Sequence, residues 1–183
     1  MDALKLEEYT VQDIFNLPEG KRAELIDGVI YDMATPSRLH QRISGEIYSK
    51  LRDYIKEKGG DCQVYYAPFA VFLNEDDRNY FEPDLVVVCD PKKLTDKGCN
   101  GAPDLVVEIT SPSTKRRDLG IKMFKYRTAG VREYWVINPD ARVINTFHFD
   151  SDRMEKDADV FTFDEEMTSE IFQGFSMVLS EEL

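Results

Sequence analysis

From residue 37 to 58, apolar side chains fall at Leu39, Ile43, Ile47, Leu51 and Ile55. A spacing of four marks a long amphipathic helix, which Gly59-Gly60 ends. Before it, Thr10 caps a short helix that stops at Pro18-Glu19-Gly20, and residues 23–33 alternate around Asp27-Gly28, which predicts a hairpin. After it, residues 62–73 are rich in Val, Tyr and Phe and read as one strand.

Two near-copies follow, Pro83-Asp84-Leu85-Val86-Val87-Val88 and Pro103-Asp104-Leu105-Val106-Val107-Glu108. Each is a short apolar run behind a proline, as expected of strands buried on both faces. Ser111-Pro112 opens a second helix that runs to about Ala129, with Gly130 beyond it. Strands are predicted at 132–138 and 142–149, and weak alternation in the last thirty residues adds edge strands. Helix, three strands, helix and strand in that order predict an α/β (α+β) chain, a mixed sheet with helices packed on it. The strand at 103–110 and the one at 132–138 should be parallel, because a helix connects them. With 183 residues and no linker or low-complexity tract, one domain spanning 1–183 is expected.

Charge changes this picture locally. The net charge is −12, which opposes a nucleic-acid partner. From Asp150 onward, however, eleven acids face only Arg153 and Lys156, so residues 1–149 carry only −3. Between Ser111 and Arg132, seven bases stand against Asp118 alone, which predicts either a basic face or an ordinary solvated helix. No apolar run is long enough for a membrane span, and the N-terminus lacks a signal-peptide layout. Cys62, Cys89 and Cys99 are odd in number and show no paired spacing. No disulfide or zinc site is expected from them, and a reducing cytoplasm is the simplest location.

The chemistry centres on two carboxylates. Asp84 begins its strand and Glu108 lies near the end of the next. If the two strands pair antiparallel, these acids meet at one end of the sheet and Asp104 lies at the other. Two carboxylates at the end of a buried sheet repel, and a hard cation such as Mg²⁺ resolves the repulsion. The bland alternative is that each caps a turn or pairs with arginine. On the following helix Leu119, Met123 and Tyr126 form an apolar stripe at about 100° per residue; Lys122 flanks it by about 60°, whereas Lys125 lies about 120° away and should be solvated. Asp118, four residues before Lys122, offers it a surface ion pair instead.

Taken in order, ELIDGVIYDM (24–33), His40, EPDLVVV (82–88), PDLVVEITSPST (103–114) and DLGIKMFKYRTAGVREYWVINP (118–139) resemble the Uma-type putative restriction endonuclease family of the PD-(D/E)XK nuclease superfamily. The resemblance covers roughly residues 8 to 150 and implies a restriction-endonuclease-like fold. It makes Asp84 and Glu108 the two motif acids. The lysine that a (D/E)XK motif places two residues after the acid is Thr110 here. The family pattern puts that lysine on the next helix, at Lys122. Glu24 resembles an additional site acid of some members, and His40 a recurrent histidine, although a lone helical histidine is commonly a structural hydrogen-bonding residue. The implied chemistry is phosphodiester hydrolysis in DNA, with Mg²⁺ or Mn²⁺ on Asp84, Glu108 and the Ile109 carbonyl. Lys122 then orients the attacking water. By analogy with such nucleases a homodimer is expected. Two other readings stand beside this one: a non-catalytic nucleic-acid-binding or regulatory module, favoured by Thr110 and the net acidity, and a metal-dependent hydrolase of small phosphodiesters.

Overall fold

A computed structural model describes residues 8–74, 76–149 and 158–179. Helix α1 (Val11–Phe15) starts from a capping box in which Thr10 and Asp13 bond each other reciprocally. Strands β1 (Ala23–Ile26) and β2 (Val29–Asp32) form the expected hairpin. Asp27 and Gly28 both turn with positive φ, as a two-residue hairpin loop requires. Helix α2 (Arg38–Lys58) buries Ile43, Ile47 and Leu51, and Gly59 ends it in the left-handed conformation.

The single strand expected over 62–73 is two strands. β3 (Gln63–Tyr66) ends where the chain turns at Ala67-Pro68, and β4 (Val71–Phe72) leaves for a small separate sheet. Proline has no N–H to continue the ladder, which is why the run breaks there. β5 (Leu85–Val88), β6 (Leu94–Thr95), β7 (Gly98–Asn100) and β8 (Leu105–Ile109) follow. β6 and β7 join β4 in the small sheet.

The second helix begins at Lys115, later than expected, because Ser111 and Thr114 bond each other's backbone and hold 111–114 in a turn. This helix, α3, comprises an α-helical turn at Lys115–Arg117, a wider π-helical turn at Asp118–Lys122 and an α-helical segment at Met123–Ala129. Strands β9 (Glu133–Asn138), β10 (Val143–His148), β11 (Asp159–Thr162), β12 (Met167–Thr168) and β13 (Ser176–Met177) complete the chain.

The central sheet has the order β11-β10-β9-β8-β5-β3. β8 and β9 are parallel and the other neighbours antiparallel. β5, β8 and most of β9 are buried on both faces, as their apolar runs predict. Leu85, Val87, Leu105 and Val107 pack with α2 into the larger core, while Val86, Val88 and Val106 pack with Tyr126 of α3 into a second one.

Two expectations need correction. The residues beyond Asp150 are more than an acidic extension with edge strands: Phe163, Met167, Phe172, Phe175, Met177 and Leu179 are buried in the larger core. Buried Glu133 fastens this segment, accepting hydrogen bonds from Trp135 Nε1 (2.6 Å), Ser169 Oγ (2.8 Å) and the Ile171 N–H (3.1 Å). The acidic residues between these apolar ones hid the pattern. The cysteines are the second correction, since Cys62 and Cys89 form a disulfide. Gln63 pairs with Val88 in the β3–β5 register, so the two cysteines are cross-strand neighbours one step further on. Strand pairing sets this contact, not sequence spacing, and the cysteine count no longer argues for a reducing compartment. Among the described residues, no helix is long and apolar enough to cross a membrane.

A carboxylate–lysine cleft as candidate active site

The β5–β8 register aligns Leu85 with Val107, and one residue further on Asp84 stands opposite Glu108. Residues opposite each other in an antiparallel pair point to the same face, so both carboxylates open into one cleft of about 600 Å³. Asp84 Oδ2 accepts a hydrogen bond from the Ile109 N–H (2.7 Å), and its Oδ1 lies 3.1 Å from His40 Nε2. Ile109 itself lines the cleft.

Glu108 is buried, and its Oε1 accepts from the Tyr126 hydroxyl at 2.8 Å and pairs with Lys122 Nζ at 2.5 Å. The same ammonium lies 2.9 Å from Glu24 Oε1 and 3.8 Å from Asp118 Oδ1. One buried lysine therefore serves three buried carboxylates, contributed by β1, β8 and α3. Glu24 also accepts from the Glu82 N–H (3.2 Å), and Glu82 is held by Arg22 and by the Tyr80 hydroxyl at 2.6 Å.

Burial sets the electrostatics. It pushes the Glu108 carboxyl well above its usual range; Lys122 opposes the shift, while Asp118, Glu24 and Asp84 add to it. Asp118 is raised for the same reason, with Lys122 again opposing. Burial also works against the Lys122 ammonium, but Glu108, Glu24 and Asp118 outweigh it and raise its pKa. Lys122 thus stays charged and acts as a hydrogen-bond donor.

Asp104 is remote, accepting from the Cys89 N–H (2.7 Å) and lying 3.3 Å from Arg132. Thr110 donates its hydroxyl to the Ile137 carbonyl (3.2 Å). The buried ridge of α3 is Asp118, Lys122 and Tyr126, whereas Leu119 and Met123 are only half-buried. Residues four apart stay on one side of a helix, so this polar ridge was as available to pattern reading as the apolar stripe chosen instead. The Asp118–Lys122 pair lies inside the protein rather than on the helix surface. Lys125, expected in solvent, pairs with Asp27 at the hairpin turn. With Lys122, Lys125 and Arg132 all in ion pairs, the basic face is thinner than the charge count implied.

Sequence reading gave no role to Tyr126 or Arg22, nor did it single out Glu82 or Arg117 within the runs that contain them. Tyr126 was legible only as apolar, and Glu82 stood unread inside the EPD motif. Arg117 also lines the cleft, with its guanidinium 5.0 Å from the Tyr31 ring centre. Its Nε is buried without a hydrogen-bond partner among the described residues, as is His40 Nδ1.

Known proteins are similar to this chain in sequence or in structure. An uncharacterised protein of Synechocystis sp. (strain PCC 6803), slr1290, is 29% identical over 133 residues, 72% of this chain and 68% of that one. A second from the same organism, sll1609, is 26% identical over 121 residues, covering 64% and 67%. The crystal structure of a putative nuclease belonging to DUF820 from Anabaena variabilis superposes with a TM-score of 0.74, covering 93% of this chain and 94% of that one. At 18% identity that likeness speaks for the fold, a restriction-endonuclease-like one. The family model Uma2, putative restriction endonuclease, matches residues 6–180, and the chain belongs to that family.

Proposed function

We propose that this cleft hydrolyses phosphodiester bonds in DNA with the help of Mg²⁺ or Mn²⁺. The observation that carries the reading is the meeting of Asp84, Glu108 and Lys122 in one open cleft, from the start of β5, from β8 and from the helix that follows it. The donor set fits a hard cation. It is made of oxygens, and seven carboxylates line the cleft against Arg22, Arg117 and Lys122. Asp84, Glu108 and the Ile109 carbonyl would hold the ion. When bound, such an ion polarises a phosphoryl oxygen and lowers the pKa of water.

The chain's own residues do the rest. Lys122 donates hydrogen bonds from a fixed position toward the nucleophile and the phosphoryl oxygens, where charge builds up. Glu24 and Asp118 hold its ammonium in place, and Tyr126 fixes the orientation of Glu108. His40 does the same for Asp84. Arg117, which lines the cleft, supplies a guanidinium for a neighbouring phosphate. Cutting both strands of a duplex takes two such clefts, which makes a homodimer part of the proposal.

The test compares supercoiled plasmid, linear duplex, single strands and bis(p-nitrophenyl) phosphate, each with Mg²⁺, Mn²⁺ or EDTA. DNA cleavage that requires the metal and disappears in Asp84→Asn and Glu108→Gln is the expected outcome. Turnover of the small diester alone would move the assignment to a small-molecule phosphodiesterase. Metal-independent DNA binding with no cleavage would make the chain a binding module.

A further inference from the structure

A second group of ligand-type side chains lies at the opposite end of the sheet. His148 ends β10, Asp159 begins β11, and Glu170 belongs to the segment that closes the larger core. Their donor atoms all lie within 4.8 Å of one another. His148 Nε2 is 3.3 Å from Asp159 Oδ2, and its Nδ1 is 3.8 Å from Glu170 Oε2 and 3.9 Å from Glu133 Oε2. Glu133 is the register partner of His148 and also pairs with Leu105, at the start of β8, whereas Glu108 lies toward the other end.

Carboxylates gathered near a histidine are common without a metal. The polar atoms beneath them set this place apart. The His148 side chain is 7% exposed, and its Nδ1 is buried without a hydrogen-bond partner among the described residues. Thr146 Oγ1 is orphaned in the same way, two residues earlier on the same face of β10 and in register with Asp159. Of the four orphaned buried side-chain atoms among the described residues, two therefore belong to neighbouring positions at this spot. Native proteins rarely leave such groups unsatisfied, and an ion with its water shell is one of the few things that satisfies both.

We propose that His148, Asp159 and Glu170 bind a divalent first-row transition ion of the Zn²⁺ type, separate from the cleft. One imidazole and two carboxylates make a mixed nitrogen–oxygen set, which suits Zn²⁺ and disfavours Mg²⁺. In a tetrahedral site with bonds of about 2.1 Å, ligand atoms sit about 3.4 Å apart. The orphaned Nδ1 is the ligand atom: Glu170 stands 3.8 Å from it, close to that separation, and Asp159, 3.3 Å from Nε2 in the absence of the ion, would turn its half-exposed carboxylate toward Nδ1. The ion would have a structural role. Glu170 stands between Ser169 and Ile171, the two residues that Glu133 holds, so the ion would tie the closing segment to the β10–β11 edge.

The experiment uses the full chain, stripped with EDTA and kept without reductant, in thermal melts and calorimetric titrations with ZnCl₂ and MgCl₂. Zn²⁺ should raise the Tm of the wild type and equally that of Asp84→Asn, which disables the cleft. Mg²⁺ should not raise the Tm of Asp84→Asn. The paired variant Asp159→Asn with Glu170→Gln should weaken Zn²⁺ binding by at least about tenfold. Both residues are half-exposed, so this pair decides the question even if His148→Ala fails to fold. A zinc effect that survives the paired change would overturn the proposal, as would no zinc binding at micromolar concentration.

Discussion

Lys122→Met removes the charge at the centre of the cleft and keeps most of the side-chain volume. In the native protein one ammonium, 3% exposed, lies 2.5, 2.9 and 3.8 Å from three buried carboxylates. Removing one partner of a buried ion pair costs about 3–5 kcal/mol, because the other charge stays behind without compensation. At about 2–4 °C per kcal/mol for a chain of this size, the Tm should fall by roughly 6–20 °C. The loss should depend on pH with a definite sign. Glu108 and Asp118 have raised pKa values in the fold, so the folded state binds more protons than the unfolded one. Their protonation stabilises fully below the unfolded values, near 4, and that contribution is lost as pH rises through the folded values. Without Lys122 opposing these shifts they grow, and the variant should recover part of its deficit between pH 8 and pH 5. The Lys122 pKa is itself raised, so the native ammonium stays charged throughout that window. Thermal melts and urea unfolding followed by circular dichroism in EDTA, at pH 5, 6.5 and 8, measure both effects. A Tm within 2 °C of wild type, or a deficit that widens on acidification, would refute the buried-charge account.

Two further outcomes follow from the geometry. Asp104→Asn should leave any DNA cleavage unchanged and cost only about 1–2 kcal/mol in urea unfolding, since its carboxylate holds the Cys89 N–H and Arg132 at the far end of the sheet. Glu133→Ala should cost at least about 3 kcal/mol, because three donors lose their acceptor at once. The emission of Trp135, the only tryptophan, should shift as its indole N–H loses that carboxylate, and unshifted emission would count against this role.

Much of the site geometry was legible because it follows from strand register. Asp84 precedes one apolar run and Glu108 ends the other, and antiparallel pairing of those runs can bring only one of the two Pro-Asp aspartates beside Glu108. The same logic placed Asp104 at the far end. What escaped was set by contacts between distant segments. The Cys62–Cys89 bond depends on the pairing of β3 with β5, which the turn at Pro68 concealed by making 62–73 look like one strand. The ridge Asp118-Lys122-Tyr126 is polar, and a search for apolar periodicity passes over it even though it is the buried side. The closing segment mixes Phe163, Phe172, Phe175 and Leu179 with many acids, so its average composition reads as surface while its individual side chains fill the core.

That closing segment bears on how the protein is made. The larger core draws on α2, near the start, and on Phe163 through Leu179, near the end. A growing chain that has just completed β10 already carries every acid of the cleft, yet about thirty more residues must be added before the closing segment covers its part of the sheet face. At about 5–20 residues per second, that face stays bare for roughly 2–6 s on each nascent chain. During this interval Trp135, which Phe175 stacks on in the finished fold, is part of an apolar surface open to chaperones and to other nascent chains. A ribosome stalled anywhere in this stretch would release a polypeptide bearing all the side chains of the cleft but unable to bury its own core.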